Sequence, residues 1–204
     1  MKDIVLSVTI GEEIQISNVL KQNVLKQYGS KCYFCDIPLR TQFEVHQDNG
    51  KGFPACSFCY HSMHLDKILS KNPGSIALFP EVPQVWINHV IRALHYLKEE
   101  SDDDIKNNMN IFSSVINERI NAASVYYAKN VSDIGILSQF LYSLPKEQYE
   151  KRHDGLFGLR FIPNPDNYKE DFAEWSSFLQ NYHPSQWESF INTIKSKNKN
   201  IIKD

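Results

Sequence analysis

The apolar positions change period several times along the chain, and each change predicts an element. Ile4-Val5-Leu6-Ser7-Val8-Thr9-Ile10 is β-branched and bounded by Gly11, and Ile14-Gln15-Ile16 follows it. Together they predict an edge strand or a hairpin. Ser17 then offers a helix cap. Leu20 and Val24 are spaced by four and Leu25 and Tyr28 by three, and Gly29 supplies a stop. From Cys32 to Cys59 helical periodicity fades into Gly, Pro and aromatic residues. This stretch buries too little apolar area to order itself without help.

The segment from Cys59 to about Ser70 predicts a short helix, Lys71-Asn72-Pro73-Gly74 a turn, and Ile76-Ala77-Leu78-Phe79 a strand ended by Pro80. Pro83 suits the first turn of a helix carrying an apolar stripe of Val90, Ala93, Leu94 and Leu97. Ser101-Asp102-Asp103-Asp104 opposes the positive end of the next helix dipole. Ile105, Met109, Phe112, Ile116 and Ile120 carry that helix to about Ala128. A helix capped by Ser132 runs through Leu144, and one opened by Pro145 ends near Gly155. Leu156 to Pro163 is extended, and two helices follow around residues 166–181 and 184–195. The fold class expected is α+β. Residues 1–80 form N-terminal strands and a small ββα metal module, and residues 81–204 form a mainly α-helical region packed on it as one compact unit.

Composition narrows the function. The chain is 42% hydrophobic and 23% charged, ordinary values for a globular protein. A formal net charge of −2 argues against a general nucleic-acid binder, which carries a basic surplus. No apolar run approaches the roughly 20 residues that span a bilayer. The first residues carry no long apolar stretch of a signal peptide. A cytoplasmic location is expected, where paired cysteines favour metal over disulfide.

The four cysteines carry the strongest chemical signal. Cys32 and Cys35 form one C-x2-C pair, Cys56 and Cys59 a second, with twenty residues between them. Two residues inside each pair let both thiolates turn toward one point, and two pairs complete a tetrahedral shell of four sulfurs. The expected cofactor is one structural Zn2+, favoured over iron, against the alternative of four buried thiols or two disulfides. A closed shell leaves no position for a substrate water, so it stabilises rather than catalyses.

Three histidines lie close by: His46 between the pairs, and His61 and His64 after the second. The order C-x2-C, an extended Phe43-Glu44-Val45-His46, a turn through Asp48-Asn49-Gly50, C-x2-C and a short helix resembles the ββα-metal motif of HNH nucleases. That family places His-His or Asp-His at the end of its first strand, the second residue being the general base. Here the pair is His46 and Gln47, and Gln cannot take a proton from water. The family's later metal-binding His often directly follows the last cysteine, where this chain has Tyr60, with His61 one further on. The scaffold is expected and the nuclease chemistry is not. His46 is expected as a turn residue, while His61 and His64, three apart on one helix face, are expected to face solvent or pack against the zinc loop rather than share a second metal. Tyr33, Phe34, Phe53, Phe58 and Tyr60 interleave the ligands and are expected to cover that loop rather than stack on bases.

A further resemblance rests on the order of parts. Lys31-Cys32-Tyr33-Phe34-Cys35, Ala55-Cys56-Ser57-Phe58-Cys59 and Ile76-Ala77-Leu78-Phe79-Pro80-Glu81-Val82-Pro83 come first. Gly158-Leu159-Arg160-Phe161-Ile162-Pro163 and Phe172-Ala173-Glu174-Trp175 follow late in a helical half. This order resembles the IcmJ/DotN family of Dot/Icm (type IVB) secretion proteins, in which an HNH-like zinc fold lacks catalytic residues. The resemblance implies a non-enzymatic structural subunit of the coupling complex at the cytoplasmic face of the inner membrane. It would bind the C-terminal segment of the coupling ATPase, help recruit effectors, and reach the membrane only through that partner. A metal-dependent HNH-type nuclease and a zinc-dependent nucleic-acid-binding protein remain the alternatives.

Overall fold

A computed structural model describes residues 4–10, 17–41, 43–99 and 102–179. The first helix, α1 (Asn18–Tyr28), begins where Ser17 Oγ accepts a hydrogen bond from Leu20 N, and ends at Gly29 with φ 80°. A tight loop through Cys32 and Cys35 follows. It leads into an antiparallel hairpin of β1 (Glu44–Asp48) and β2 (Lys51–Ala55). Asn49 and Gly50 make its two-residue turn, both with positive φ (49° and 75°), the conformation that right-twisted hairpins require. Next come α2 (Ser57–Met63) and a 3-10 turn at Leu65–Lys67. The expected ββα order is therefore present.

A second two-stranded antiparallel sheet pairs β3 (Gly74–Leu78) with β4 (Leu159–Pro163), joining segments far apart in the chain. Between them lie α3 (Gln84–Tyr96), α4 (Asp103–Tyr126), α5 (Ile134–Ser143), α6 (Lys146–Glu150) and α7 (Arg152–Gly155). After β4, a 3-10 turn at Pro165–Tyr168 leads into α8 (Lys169–Leu179). The chain is α+β, with two small sheets and a helical body among the described residues. α3 packs on β4 and α8, α4 packs on β3, and α1 packs on β2. One apolar cluster joins the cysteine loops to α3 and α8, through Val85, Ile87, Ile91, Phe172 and Trp175. A second lies under β3, β4 and α5.

Several expectations are corrected. Ile4–Ile10 buries Ile4, Leu6 and Val8, but it pairs with no strand among the described residues. Its backbone groups pair with side chains and with a loop: Val8 N donates to Tyr149 Oη at 3.1 Å, Leu6 O accepts from Arg152 Nε at 3.3 Å, and Ser7 O accepts from Leu65 N at 3.0 Å. The stretch at residues 14–16 and the helix around 184–195 lie outside the described residues. Asp133, rather than Ser132, caps α5. The helix opened by Pro145 is two short helices, α6 and α7. On α3 the buried positions are Gln84, Val85, Ile87, Asn88, Ile91, Arg92 and Ala93, while Val90 and Leu94 are only half-buried.

Candidate metal centre

Local geometry turns each cysteine pair inward. The first pair sits on a knuckle held by Cys32 N donating to Ile37 O at 2.8 Å and Asp36 N donating to Cys32 O at 2.9 Å. Asp36, at φ 59°, reverses the chain. Tyr33 N donates to Pro54 O at 2.9 Å and ties the knuckle to β2. Cys56 caps α2 and Cys59 lies in its first turn, so the helix start presents both sulfurs to the knuckle.

The four Sγ atoms lie within 4.8 Å of one another and all four residues are buried. Cys35 Sγ and Cys56 Sγ are 3.6 Å apart, close to the edge of about 3.8 Å for a tetrahedron with 2.3 Å metal–sulfur bonds. Among the described residues, no other group of three or more His, Cys, Asp or Glu side chains is placed to share an ion. The cluster can hold a metal ion. Burial pushes the Cys56 and Cys59 thiols well up. Burial raises Cys35 too, but hydrogen bonds from Cys32, Cys56 and Cys59 and the positive Arg92 outweigh it and bring that thiol well down. Four sulfurs this close can all be thiolate only with a cation among them.

No family model and no curated protein matches the chain. The site must therefore be read from its own surroundings.

The histidines part company. His64 ends α2 and turns toward β1, where its Nε2 meets His46 Nδ1 at 3.0 Å. Its Nδ1 shares a hydrogen bond of 3.0 Å with Thr9 Oγ1, which also bonds Asp66. His61 faces elsewhere and pairs through Nδ1 with Tyr168 Oη at 2.8 Å. His61 and His64 are thus not neighbours sharing one ion, and His46 lies inside β1 rather than at its end. Burial lowers all three, His61 and His64 to about 4, so each is neutral at pH 7. The aromatics cover the site as expected: Tyr33 stacks on Phe53 with ring centroids 4.6 Å apart, and Phe58 is fully buried.

Sequence reasoning missed the polar side chains that α3 sends to the sulfurs. Arg92 is fully buried and its Nη2 donates to Cys56 Sγ at 2.9 Å. Its guanidinium also lies 4.7 Å from the Phe58 ring centroid and 4.5 Å from that of Trp175. One turn earlier, Asn88 Nδ2 donates to Cys59 Sγ at 3.4 Å. One turn before that, Gln84 Nε2 donates to Asn88 Oδ1 at 2.9 Å and to Phe161 O at 2.8 Å, while its Oε1 accepts from Phe161 N. Gln84, Asn88 and Arg92 recur every four residues along one helix face. That spacing was the available signal, but exposed polar residues show it too.

Among the described residues, no helix is long and apolar enough to cross a membrane.

Proposed function

We propose that Cys32, Cys35, Cys56 and Cys59 hold one structural zinc ion, and that the chain acts as a non-enzymatic interaction subunit of a type IVB secretion coupling complex. The observation that carries the zinc reading is the convergence of four buried sulfurs on one point beside a buried guanidinium. A buried Arg cannot shed its proton, so it needs an anionic partner, and a zinc ion bound by four thiolates is a dianion. Such a shell is closed and serves to hold the hairpin, the knuckle and α2 together.

The interaction role rests on the resemblance to IcmJ/DotN proteins in the order of parts. The exposed apolar side chains also support it. Ile111 and Val115 share a face of α4, Ile136 and Phe140 share a face of α5, and all four are exposed. The partner proposed is the C-terminal segment of the coupling ATPase, met at the cytoplasmic face of the inner membrane.

The alternative, a metal-dependent nuclease, draws support from one observation: His46 on β1 faces the end of α2, as a ββα-metal site would require. Against it, Gln47 stands where a base is needed, and His46 and His64 spend nitrogens on each other.

Elemental analysis should give about one zinc per chain, and Cys32→Ser should abolish it and leave an aggregating or unfolded protein. A stably folded wild-type chain free of metal would sink the zinc reading. Co-purification of the coupling ATPase from the native cell supports the interaction reading. Divalent-metal-dependent nicking of plasmid DNA that His46→Ala abolishes would replace it.

A further inference from the structure

Building on the zinc reading, we propose that Arg92 is the charge-compensating positioning residue of the metal centre, lowering the energy of the Cys56 thiolate and thereby setting the affinity and electronic character of the bound metal. Nothing in the spacing of the cysteines requires such a group. It comes from α3, 36 residues beyond Cys56, and its guanidinium is held by three side chains at once. Cys56 Sγ accepts from it, the Phe58 ring of α2 lies on it, and the Trp175 ring of α8 lies on it.

The electrostatics are one-directional. Four thiolates around a divalent ion leave two negative charges in a buried site. A permanent cation at 2.9 Å from one sulfur offsets half of that charge where little water can. The N–H···S bond draws electron density off the sulfur, which makes it a weaker nucleophile and a weaker charge-transfer donor. Asn88 adds a neutral N–H to Cys59. Opposing Arg92 is Asp171 on α8, a buried carboxylate that accepts from Ser57 Oγ. Burial raises Asp171 to about 6, while the hydrogen bond from Ser57 and the positive charge of Arg92 pull it down, so its negative charge is felt at the guanidinium that Cys56 uses.

The charges predict opposite signs at two positions, which a purely structural role does not. Each variant is loaded with Co2+, and its sulfur-to-cobalt charge-transfer band and its Co2+ and Zn2+ affinities are measured by competition with a chelator. Arg92→Met should shift the band to lower energy and weaken both metals by about 10- to 100-fold, the usual cost of losing a group that supports a metal ligand. Arg92→Lys, which keeps the charge, should restore most of the affinity. Asp171→Asn removes a negative charge that partly offsets Arg92, so its band should move to higher energy with affinity held or improved. Asp171→Asn keeps the test decisive where Arg92→Met fails to fold, because an unmoved band there, or one moved to lower energy, overturns the proposal. Wild-type spectra and affinities retained in a folded Arg92→Met protein overturn it as well. If wild type shows no such band with Co2+, the zinc reading falls and this inference with it. A band present in wild type but indifferent to both substitutions removes the inference alone.

Discussion

His64 connects three segments through a single ring. One nitrogen meets His46 on β1, the other meets Thr9 in the N-terminal segment, and Tyr60 stacks on its face at 4.2 Å. Burial is the main reason its pKa falls to about 4; His46, His61 and Lys67 push the same way, and Asp66 opposes them. The unfolded chain returns the group to about 6.5. Between those values the unfolded state binds the proton more tightly, so the contribution is complete above about pH 6.5 and is lost as pH falls toward 4. The melting temperature of wild type should therefore drop more between pH 7 and pH 5 than that of His64→Asn. Metal loss in acid acts on both proteins, so the difference in slope isolates the imidazole. Equal slopes would show that His64 binds a proton as readily folded as unfolded. The residue itself could be singled out in the sequence, but its partners could not. His61 and His64 differ by three positions, yet the helix ends at Met63, and that break sends the two rings to different neighbours.

Among the elements, the hairpin was the most legible and α3 the least. Asn49-Gly50 reports its own turn because few residues tolerate positive φ, and that preference is local. The face of α3 depends on something no local pattern carries. Hydropathy assigns Gln84, Asn88 and Arg92 to water, but the acceptors that bury Asn88 and Arg92 are sulfurs 29 and 36 residues away in the chain. Ile4–Ile10 differs for a related reason: β-branched alternation reports a buried backbone and does not say whether a strand or side chains and a loop will satisfy it. The β3–β4 sheet depends on Gly74, whose φ of 118° starts the pairing. An added Cβ there would lie 2.1 Å from Ile162 O, an impossible approach to backbone. Gly74→Ala should cost about 3 kcal/mol or more in urea denaturation. Gly155→Ala meets nothing within 4 Å, ends a helix turn, and should change stability by no more than about 0.5 kcal/mol. Similar losses at both positions would mean that the strand pairing at Gly74 is not what the substitution breaks.

At the scale of the whole molecule, the four-cysteine cluster and the helical body share one apolar cluster, and on the zinc reading proposed above this decides what removing the metal should do. Cys56 and Trp175 belong to that cluster, with the Arg92 guanidinium lying between the sulfur and the indole. Structural zinc contributes roughly 10–16 kcal/mol to folding in small zinc modules, against about 5–15 kcal/mol for the net stability of a whole domain. On that reading, loss of the ion would exceed what the remaining contacts can offset, and would leave Arg92 buried beside the Cys56 thiol, whose burial favours the neutral form. The strain should pass to α8, because the Trp175 ring, 1% exposed, lies against the group that loses its counter-charge. A protein with Trp86 and Trp187 changed to Phe reports on Trp175 alone. Titrated with a mercurial in the presence of a chromogenic chelator, it should release zinc and shift its emission to the red together, in one transition. Zinc leaving with the emission unmoved would mean that the metal holds only the hairpin, the knuckle and α2, and that α8 stays docked without it.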